Sequence, residues 1–311
     1  MLHRHRLIAA CLSEGYLEAS AYGELLKRMN DAQDFQHSRL QRIPVDDDWF
    51  DVLKIFDHLF AISEPRHYEH TVIYLVLGSD RAVLIDTGCG IGNLRRVVEQ
   101  LTTLPITVVN THSHLDHLGS NQQFAEIFMF DHPRSRDISR YGAPPEVLLW
   151  ELHRQELVIP PWPHGFQGGA LPPFNVSRWL KHDDVVERGG LRLRVLHTPG
   201  EAPDHICLLD QTHRILFSGD ILLNGPVWSH LDGGDVGQLY QSYEFLMRHY
   251  DEFDLIMPSH NAPCQHKDLL PVALAASKDV LSGKAQTQAG IDPWGRHYKR
   301  YDFNRISILS K

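Results

Sequence analysis

The chain has 311 residues, 42% of them hydrophobic and 22% charged, with a formal net charge of −9. That length is enough for one large core or two small ones, and the acidic balance argues against a nucleic-acid groove as the principal surface. No stretch approaches the roughly 20 apolar residues of a membrane span. The apolar run at 7–12 is shorter than the about 7–15 residues of a secretory core, and Ser13-Glu14-Gly15 ends it. Four scattered cysteines, Cys11, Cys89, Cys207 and Cys264, form no CxxC pair. They fit free thiols in a reducing compartment, and a cytoplasmic location is expected.

Residues 1–45 carry Leu17, Tyr22, Leu25, Leu26 and Met29 at rough helical spacing, which predicts an N-terminal helical extension packed on the main domain or on a second subunit. One domain is expected over 46–311. Val52-Leu53-Lys54-Ile55 and Leu59-Phe60-Ala61-Ile62 predict paired strands, and the apolar runs at 71–77 and 82–85 extend them into a hairpin meander with a turn at Gly78-Ser79-Asp80. The loop 63–70, polar and aromatic, either overhangs a site or is simply solvated. Asp86-Thr87-Gly88 ends a buried strand and a helix is expected over 93–101. A strand at 106–110 leads into Thr111-His112-Ser113-His114-Leu115-Asp116-His117, with a further helix expected from about Ser120 through 126 and a strand at 128–130.

Residues 131–181 break this rhythm. They hold Trp150, Trp162, Phe166, Phe174 and Trp179 among Pro144, Pro145, Pro160, Pro161, Pro163, Pro172 and Pro173. Proline opposes regular structure, while so many aromatics do not suit a free linker. The stretch reads as an insertion that walls the mouth of a site, or as a dimer contact or satellite core. Strands follow at 191–196, 206–209 and 215–218, an amphipathic helix at 240–250, a strand at 255–257, a helix at 269–281 and a last strand at 306–309.

The loop at 112–117 places His112, His114, Asp116 and His117 within six residues directly after a strand. Imidazole and carboxylate together are the donor set of zinc, and also of iron or manganese. With 21 histidines in the chain, a chance cluster is the alternative. Two further polar residues sit where apolar strands end: Asp220 after Phe217-Ser218-Gly219, and His260 after Met257-Pro258-Ser259. Asp86 at a strand end either orients a ligand histidine through its carboxylate or serves a turn.

The set His112-Ser113-His114-Leu115-Asp116-His117, Asp220 and His260, with Asp86-Thr87-Gly88 upstream, resembles the metallo-β-lactamase superfamily over roughly residues 50–310. The resemblance implies an α/β fold, a four-layer αβ/βα sandwich of two mixed sheets flanked by helices, with a dinuclear centre at one edge. It implies two divalent metal ions, zinc first and iron or manganese as alternatives. His112 and His114 would bind one ion, Asp116, His117 and His260 the other, and Asp220 would bridge them. The third motif departs from the family's Pro-Gly-His-Thr. Here Thr198-Pro199-Gly200 is followed by Glu201-Ala202-Pro203, which resembles the alkylsulfatase branch. Glu201 is the favoured replacement ligand, because it lies 19 residues before Asp220, close to the usual gap. His205 and His197 are alternatives, as is a weak or vacant first site. A glutamate adds negative charge and makes the ion pair less Lewis acidic.

Two metal ions can activate a shared hydroxide near neutral pH, so the expected activity is a metallo-hydrolase, with Asp116 orienting the nucleophile or moving a proton. The aromatic insertion and Trp228-Ser229-His230 suggest a partly apolar small-molecule substrate carrying an ester, lactone or thioester bond, with Asn224, Trp228 and His230 as candidate contacts. The tyrosine usual in the lactonase branch is absent after Asp220. The HxExD of flavodiiron proteins and a C-terminal basic thioester clamp are not recognisable either. A sulfatase or phosphodiesterase-type hydrolase, a di-iron redox protein and a catalytically degenerate ligand sensor on the same fold are the alternatives. No nucleic-acid or membrane partner is expected, and a homodimer remains open.

Overall fold

The computed structural model describes residues 40–144 and 170–311. Its first sheet has eight strands in chain order: β1 (Gln41–Ile43), β2 (Asp51–Phe56), β3 (Leu59–Ser63), β4 (Val72–Leu77), β5 (Ala82–Ile85), β6 (Ile106–Val109), β7 (Ile127–Phe130) and β8 (Arg178–Leu180). The first five pair antiparallel, as the hairpin turns require, and β5 to β8 pair parallel. Parallel neighbours need crossovers. Helix Leu94–Leu101 supplies the first and helix Pro133–Tyr141 lies within the last.

The second sheet combines β9 (Val185–Arg188), β10 (Leu191–His197), β11 (Ile206–Asp210), β12 (Ile215–Gly219), β14 (Leu255–Pro258) and β15 (Gln265–His266), in the order β15-β14-β12-β11-β10-β9. Alternation along β11 shows how the layers form. Ile206 and Leu208 face the first sheet, where Tyr74, Val83 and Ile85 meet Leu193 and Phe217. Cys207 and Leu209 face helices Val236–Met247 and Leu269–Leu281 through Leu239, Tyr243 and Leu270. Helix Leu94–Leu101 covers the outer face of the first sheet through Leu94, Val97 and Val98. This is the expected helix–sheet–sheet–helix sandwich. Each fully buried leucine or valine in these layers contributes ~1.5–3 kcal/mol through burial of its apolar surface.

A third sheet was not expected. β13 (Gly225–Trp228), β18 (Ile306–Ser310), β17 (His297–Asp302) and β16 (Gln288–Ile291) pair in that order. It packs on the helical layer through Val227, Ile306 and Ile308.

Several other expectations differ from the structure. Within the span 1–45, residues 1–39 lie outside the described residues, while Gln41–Ile43 extends the first sheet as an edge strand instead of ending a helical segment. The helix expected over 120–126 is one 3-10 turn, Asn121–Gln123. Its Asn121 side chain is pinned to Asn110 and Thr87, which takes Phe124 out of helical geometry. The helix expected at 240–250 begins at Val236, where Asp235 accepts the amide N–H of Gln238 as a cap. In the proline-rich stretch 131–181, the ordered helix and β8 belong to the sheet crossover. Phe174 and Trp179 pack against the first core, and Trp150, Trp162 and Phe166 lie outside the described residues. Among the described residues, no helix is long and apolar enough to cross a membrane.

Candidate metal centre and its cleft

The loops after β5, β6, β12 and β14 open at one end of the two sheets. Two backbone ties hold the sheets together there: Ile206 donates its N–H to the Thr111 carbonyl, and Thr71 bridges His260. Asp86 follows β5 with a positive φ of 63°, a conformation aspartate tolerates better than most residues. From that position its carboxylate accepts the Thr111 N–H at 2.7 Å and the Thr111 hydroxyl at 2.8 Å. It also accepts the Ser259 hydroxyl at 3.1 Å and lies 2.8 Å from His117 Nδ1. One buried carboxylate thus fixes three of the loops, and its contact with His117 turns Nε2 of that ring inward.

The donors converge as two groups. In the first, His112 Nε2 lies 3.0 Å from His114 Nδ1, 3.5 Å from Glu201 Oε2 and 3.7 Å from Asp220 Oδ2, and His114 Nδ1 lies 3.0 Å from Glu201 Oε1. In the second, His117 Nε2 lies 3.1 Å from Asp116 Oδ2 and 3.3 Å from Asp220 Oδ2, and His260 Nε2 lies 3.0 Å from Asp220 Oδ2 and 3.4 Å from Asp116 Oδ2. Each group gathers four side-chain donors within 4.8 Å of one another, and Asp220 belongs to both. The far nitrogens are committed to orientation: His112 Nδ1 contacts the Thr111 hydroxyl at 3.0 Å, and His260 Nδ1 donates to the Glu69 carbonyl at 2.7 Å.

The donor set fits a bound cation. Glu201 Oε2 and Asp220 Oδ1 are buried with no hydrogen-bond partner, a cost of about 1–3 kcal/mol each unless something else satisfies them. The electrostatics agree. Burial disfavours charge on His260, yet the Asp220 and Asp116 carboxylates raise it to about 10. Burial likewise opposes charge on His117, which Asp116, Asp220 and Asp86 hold well above its usual value. The carboxylates therefore stabilise positive charge at the centre of the cluster, the requirement a divalent ion meets.

Glu201 stands in the donor group; His205 and His197 do not. His205 is buried beneath the site, where its Nε2 accepts the Asp220 N–H at 3.1 Å and its Nδ1 meets the Thr198 hydroxyl at 3.0 Å. Burial pushes it down to about 4, so it is neutral, as an acceptor must be. Gly219 has φ +51°, and a Cβ there would come within 2.3 Å of that same Nε2. His197 stacks on Phe130 and bonds the Pro203 carbonyl, away from the donors.

A cleft of about 820 Å³ opens over the cluster. Trp228 lines it, Asn224 is exposed and outside its lining, and His230 is buried behind Trp228 against Asp292. The loop 63–70 does overhang the site: His67, Tyr68 and Glu69 line the cleft. Glu64, fully buried, accepts the Cys89 N–H and the Trp49 indole N–H at 2.8 Å each. Of the stretch 131–181, Arg134, Ile138, Tyr141 and Ala143 contribute an amphipathic wall. Trp294 and Arg296 reach the same cleft from the turn between β16 and β17. Nothing in the linear pattern ties that turn to residues near 112, although Asp292-Pro293-Trp294-Gly295 was readable as a turn carrying a large aromatic.

A family model described as the metallo-beta-lactamase superfamily matches residues 69–255. The chain is 32% identical over 229 residues to "Acyl-coenzyme A thioesterase MBLAC2" of Gallus gallus, covering 68% of this chain and 81% of that one. Among solved structures, a metallo-beta-lactamase from Pontibacter korlensis superposes with a TM-score of 0.52 at 19% identity, over 74% of this chain and 99% of that one. The inverting sec-alkylsulfatase Pisa1 from Pseudomonas sp. superposes with a TM-score of 0.57 at 15% identity, over 74% of this chain and 41% of that one. At such identities the structural likenesses speak for the fold alone, so the alkylsulfatase likeness adds nothing about a sulfate substrate.

Proposed function

This chain belongs to the metallo-β-lactamase superfamily of hydrolases, and from that premise we propose that it hydrolyses acyl thioesters with two divalent metal ions, zinc in the first place. The observation that carries the reading is the pair of four-donor groups sharing Asp220 at the floor of a large, half-apolar cleft. The choice of thioester rests on the relative that is named an acyl-coenzyme A thioesterase.

In this reading His112, His114 and Glu201 would hold one ion, Asp116, His117 and His260 would hold the other, and Asp220, which belongs to both donor groups, would serve both. Bound ions would supply Lewis acidity to water and to the substrate carbonyl. Asp86 keeps His117 Nε2 aimed at the centre, a constraint of the kind that orients metal-binding histidines. Asp116 lines the cleft with its carboxylate one-fifth exposed, placed to take the proton that the attacking water gives up. A thiol has a pKa near about 8.5, so it leaves as thiolate without a proton donor. A thioester therefore asks little more of the protein than water activation and carbonyl polarisation. Leu115, Ile138, Ala143 and Leu223 give the acyl portion an apolar wall.

The test is metal analysis of the purified protein combined with a hydrolysis panel of esters, lactones, thioesters, phosphodiesters and sulfates. The expected result is about two ions per chain and turnover of thioesters above the other classes. Turnover confined to phosphodiesters or sulfates, or none with metal fully loaded, overturns the proposal.

A further inference from the structure

One cation stands beside the first donor group, and the reaction as described leaves it unused. Arg134 lines the cleft together with His114 and Glu201, and its positive charge reaches the His114 ring, where it opposes protonation. It donates from Nη1 to the Asp232 carbonyl, and its Nε and Nη2 find no acceptor among the described residues. Asp137 and Asp232 line the same cleft, but both are exposed, and Arg134 enters no ion pair among the described residues. The other guanidinium in the cleft wall, that of Arg296, already lies 3.9 Å from the buried Asp292 carboxylate.

Contacts with the third motif hold Arg134 where it is. Helix Pro133–Tyr141 opens on Pro133, and its cap His132 accepts the Arg134 N–H at 3.2 Å. One residue on, the Ser135 hydroxyl donates at 2.7 Å to Asp204, three residues beyond Glu201, and both side chains are buried. The segment 232–234 fills the space between. A Cβ on Gly233, at φ +86°, would come 2.8 Å from Pro203 Cδ and 3.5 Å from Arg134 Nη1. One on Gly234 would come 3.0 Å from the Glu201 carbonyl oxygen. Glycine at both positions lets the guanidinium and Glu201-Ala202-Pro203 pack on the same short piece of backbone.

This placement answers a problem of charge. Asp116, Glu201 and Asp220 bring three carboxylates to the two donor groups, and Asp86 lies behind His117. Those anions offset most of the charge of two divalent ions, and Glu201 stands where the family has a neutral histidine. A carbonyl oxygen gains negative charge as water adds to its carbon, so a centre of low net charge stabilises it poorly. A guanidinium beside Glu201 supplies positive charge, with N–H groups that hold an oxygen directionally.

We propose that Arg134 is a catalytic residue forming an oxyanion subsite on the Glu201 side of the centre, where it meets the acyl oxygen as charge develops and the carboxylate of the product. This rests on the thioesterase reading. Water adds to the carbonyl carbon and gives a proton to Asp116, while the π pair of the C=O bond moves onto the oxygen that Arg134 meets. The pair then returns and the C–S bond breaks. Sulfur leaves with its electrons as thiolate, and the acid formed loses its proton to solvent.

The test has two arms on the full metal-loaded chain. Kinetics on a butyryl thioester is expected to show kcat lowered by roughly 100–1,000-fold in Arg134→Ala, the range for loss of one oxyanion donor, with KM little changed. Arg134→Lys should lose less, and added guanidinium chloride should restore part of the rate of Arg134→Ala. Calorimetry with butyrate, which needs no turnover, is expected to show binding weakened about tenfold in Arg134→Ala. Metal content should match the parent in both variants. Butyrate binding that depends on Arg134, without thioester turnover, keeps the subsite and removes the thioesterase reading. Thioester turnover with kcat unchanged in Arg134→Ala overturns the subsite while the thioesterase reading stands. A loss of kcat that guanidinium does not restore, with butyrate binding absent or unchanged, marks Arg134 as structural and overturns the subsite as well. Neither turnover nor butyrate binding in the parent removes both. Should the alanine variant fail to fold, Arg134→Gln carries the same readouts.

Discussion

Histidines gather at both ends of this sandwich, and the two gatherings behave differently. At one end His112, His114, His117 and His260 turn their ring edges inward, so nitrogen lone pairs and carboxylate oxygens converge with several atoms left unsatisfied. At the other end His58 and His213 meet face to face, centroids 3.9 Å apart with planes at 24°, and His213 Nδ1 is 2.7 Å from Asp210. That pair lies at the far end of β4 and β12: the His58 carbonyl accepts the Leu77 N–H, whereas Thr71, just before β4, bridges His260. Six residues of strand separate the two ends by roughly 20 Å. Lone pairs lie in the ring plane, so a stacked pair cannot focus them on one point. Convergence of edges, enforced by Asp86, Thr111 and the Glu69 carbonyl, is what makes histidines a candidate metal centre, and their number is not.

The comparison can be broken at its strongest point first. Asp220→Ala removes the oxygen donor common to both groups. Metal content is expected to collapse at both positions, and hydrolysis to fall by more than the ~100-fold upper figure for loss of an outer partner. Elemental analysis showing full loading would contradict the shared-donor geometry. Glu201→Ala comes next: it leaves Asp116, His117, Asp220 and His260 in place, so one ion of two should be lost, while Glu201→His should restore the count. Unchanged stoichiometry in the alanine variant would remove Glu201 from the donor set. Asp86→Asn keeps the size of the side chain but weakens its hold on His117 and on the loops. A ~10–100-fold loss of metal affinity is expected in a chelator competition titration.

The smallest effect belongs to the opposite end. Burial and the neighbouring His213 hold His58 below its ordinary value of 6.5. The unfolded chain therefore takes up the proton first as pH falls, so the stability linked to neutral His58 is present above about pH 6.5 and is lost below it. His58→Phe is expected to shrink the drop in urea midpoint between pH 7.5 and 5.5 while leaving metal content alone. A variant with the parental pH dependence would show that the stacked pair does not titrate in this way.

Much of this was legible in the linear order, and the misses share one cause. The strands β2 to β7 and the helix over 269–281 follow from local periodicity. The site residues His112, Asp116, Asp220 and His260 stand where apolar runs stop. The helix expected after Ser120 failed because Asn121 is claimed by Asn110 and Thr87, a tertiary contact that outweighs local propensity. His230 looked like a substrate contact because it follows Trp228, but β13 turns the tryptophan to the cleft and leaves the histidine for Asp292, 62 residues later.

The sequence by itself singled out the candidate donors, since residues crowded into 112–117 and set at strand ends fall at one end of the sheets. It also singled out Glu201 by spacing from Asp220. Only the tertiary structure set Glu201 against His114 and placed His205 against Asp220 and Thr198 and His197 against Pro203. It alone brought Trp294 and Arg296 to the cleft. The physical reason is that periodicity encodes which face of an element is buried. Which distant element comes to lie against that face is set by the pairing of strands far apart in the chain.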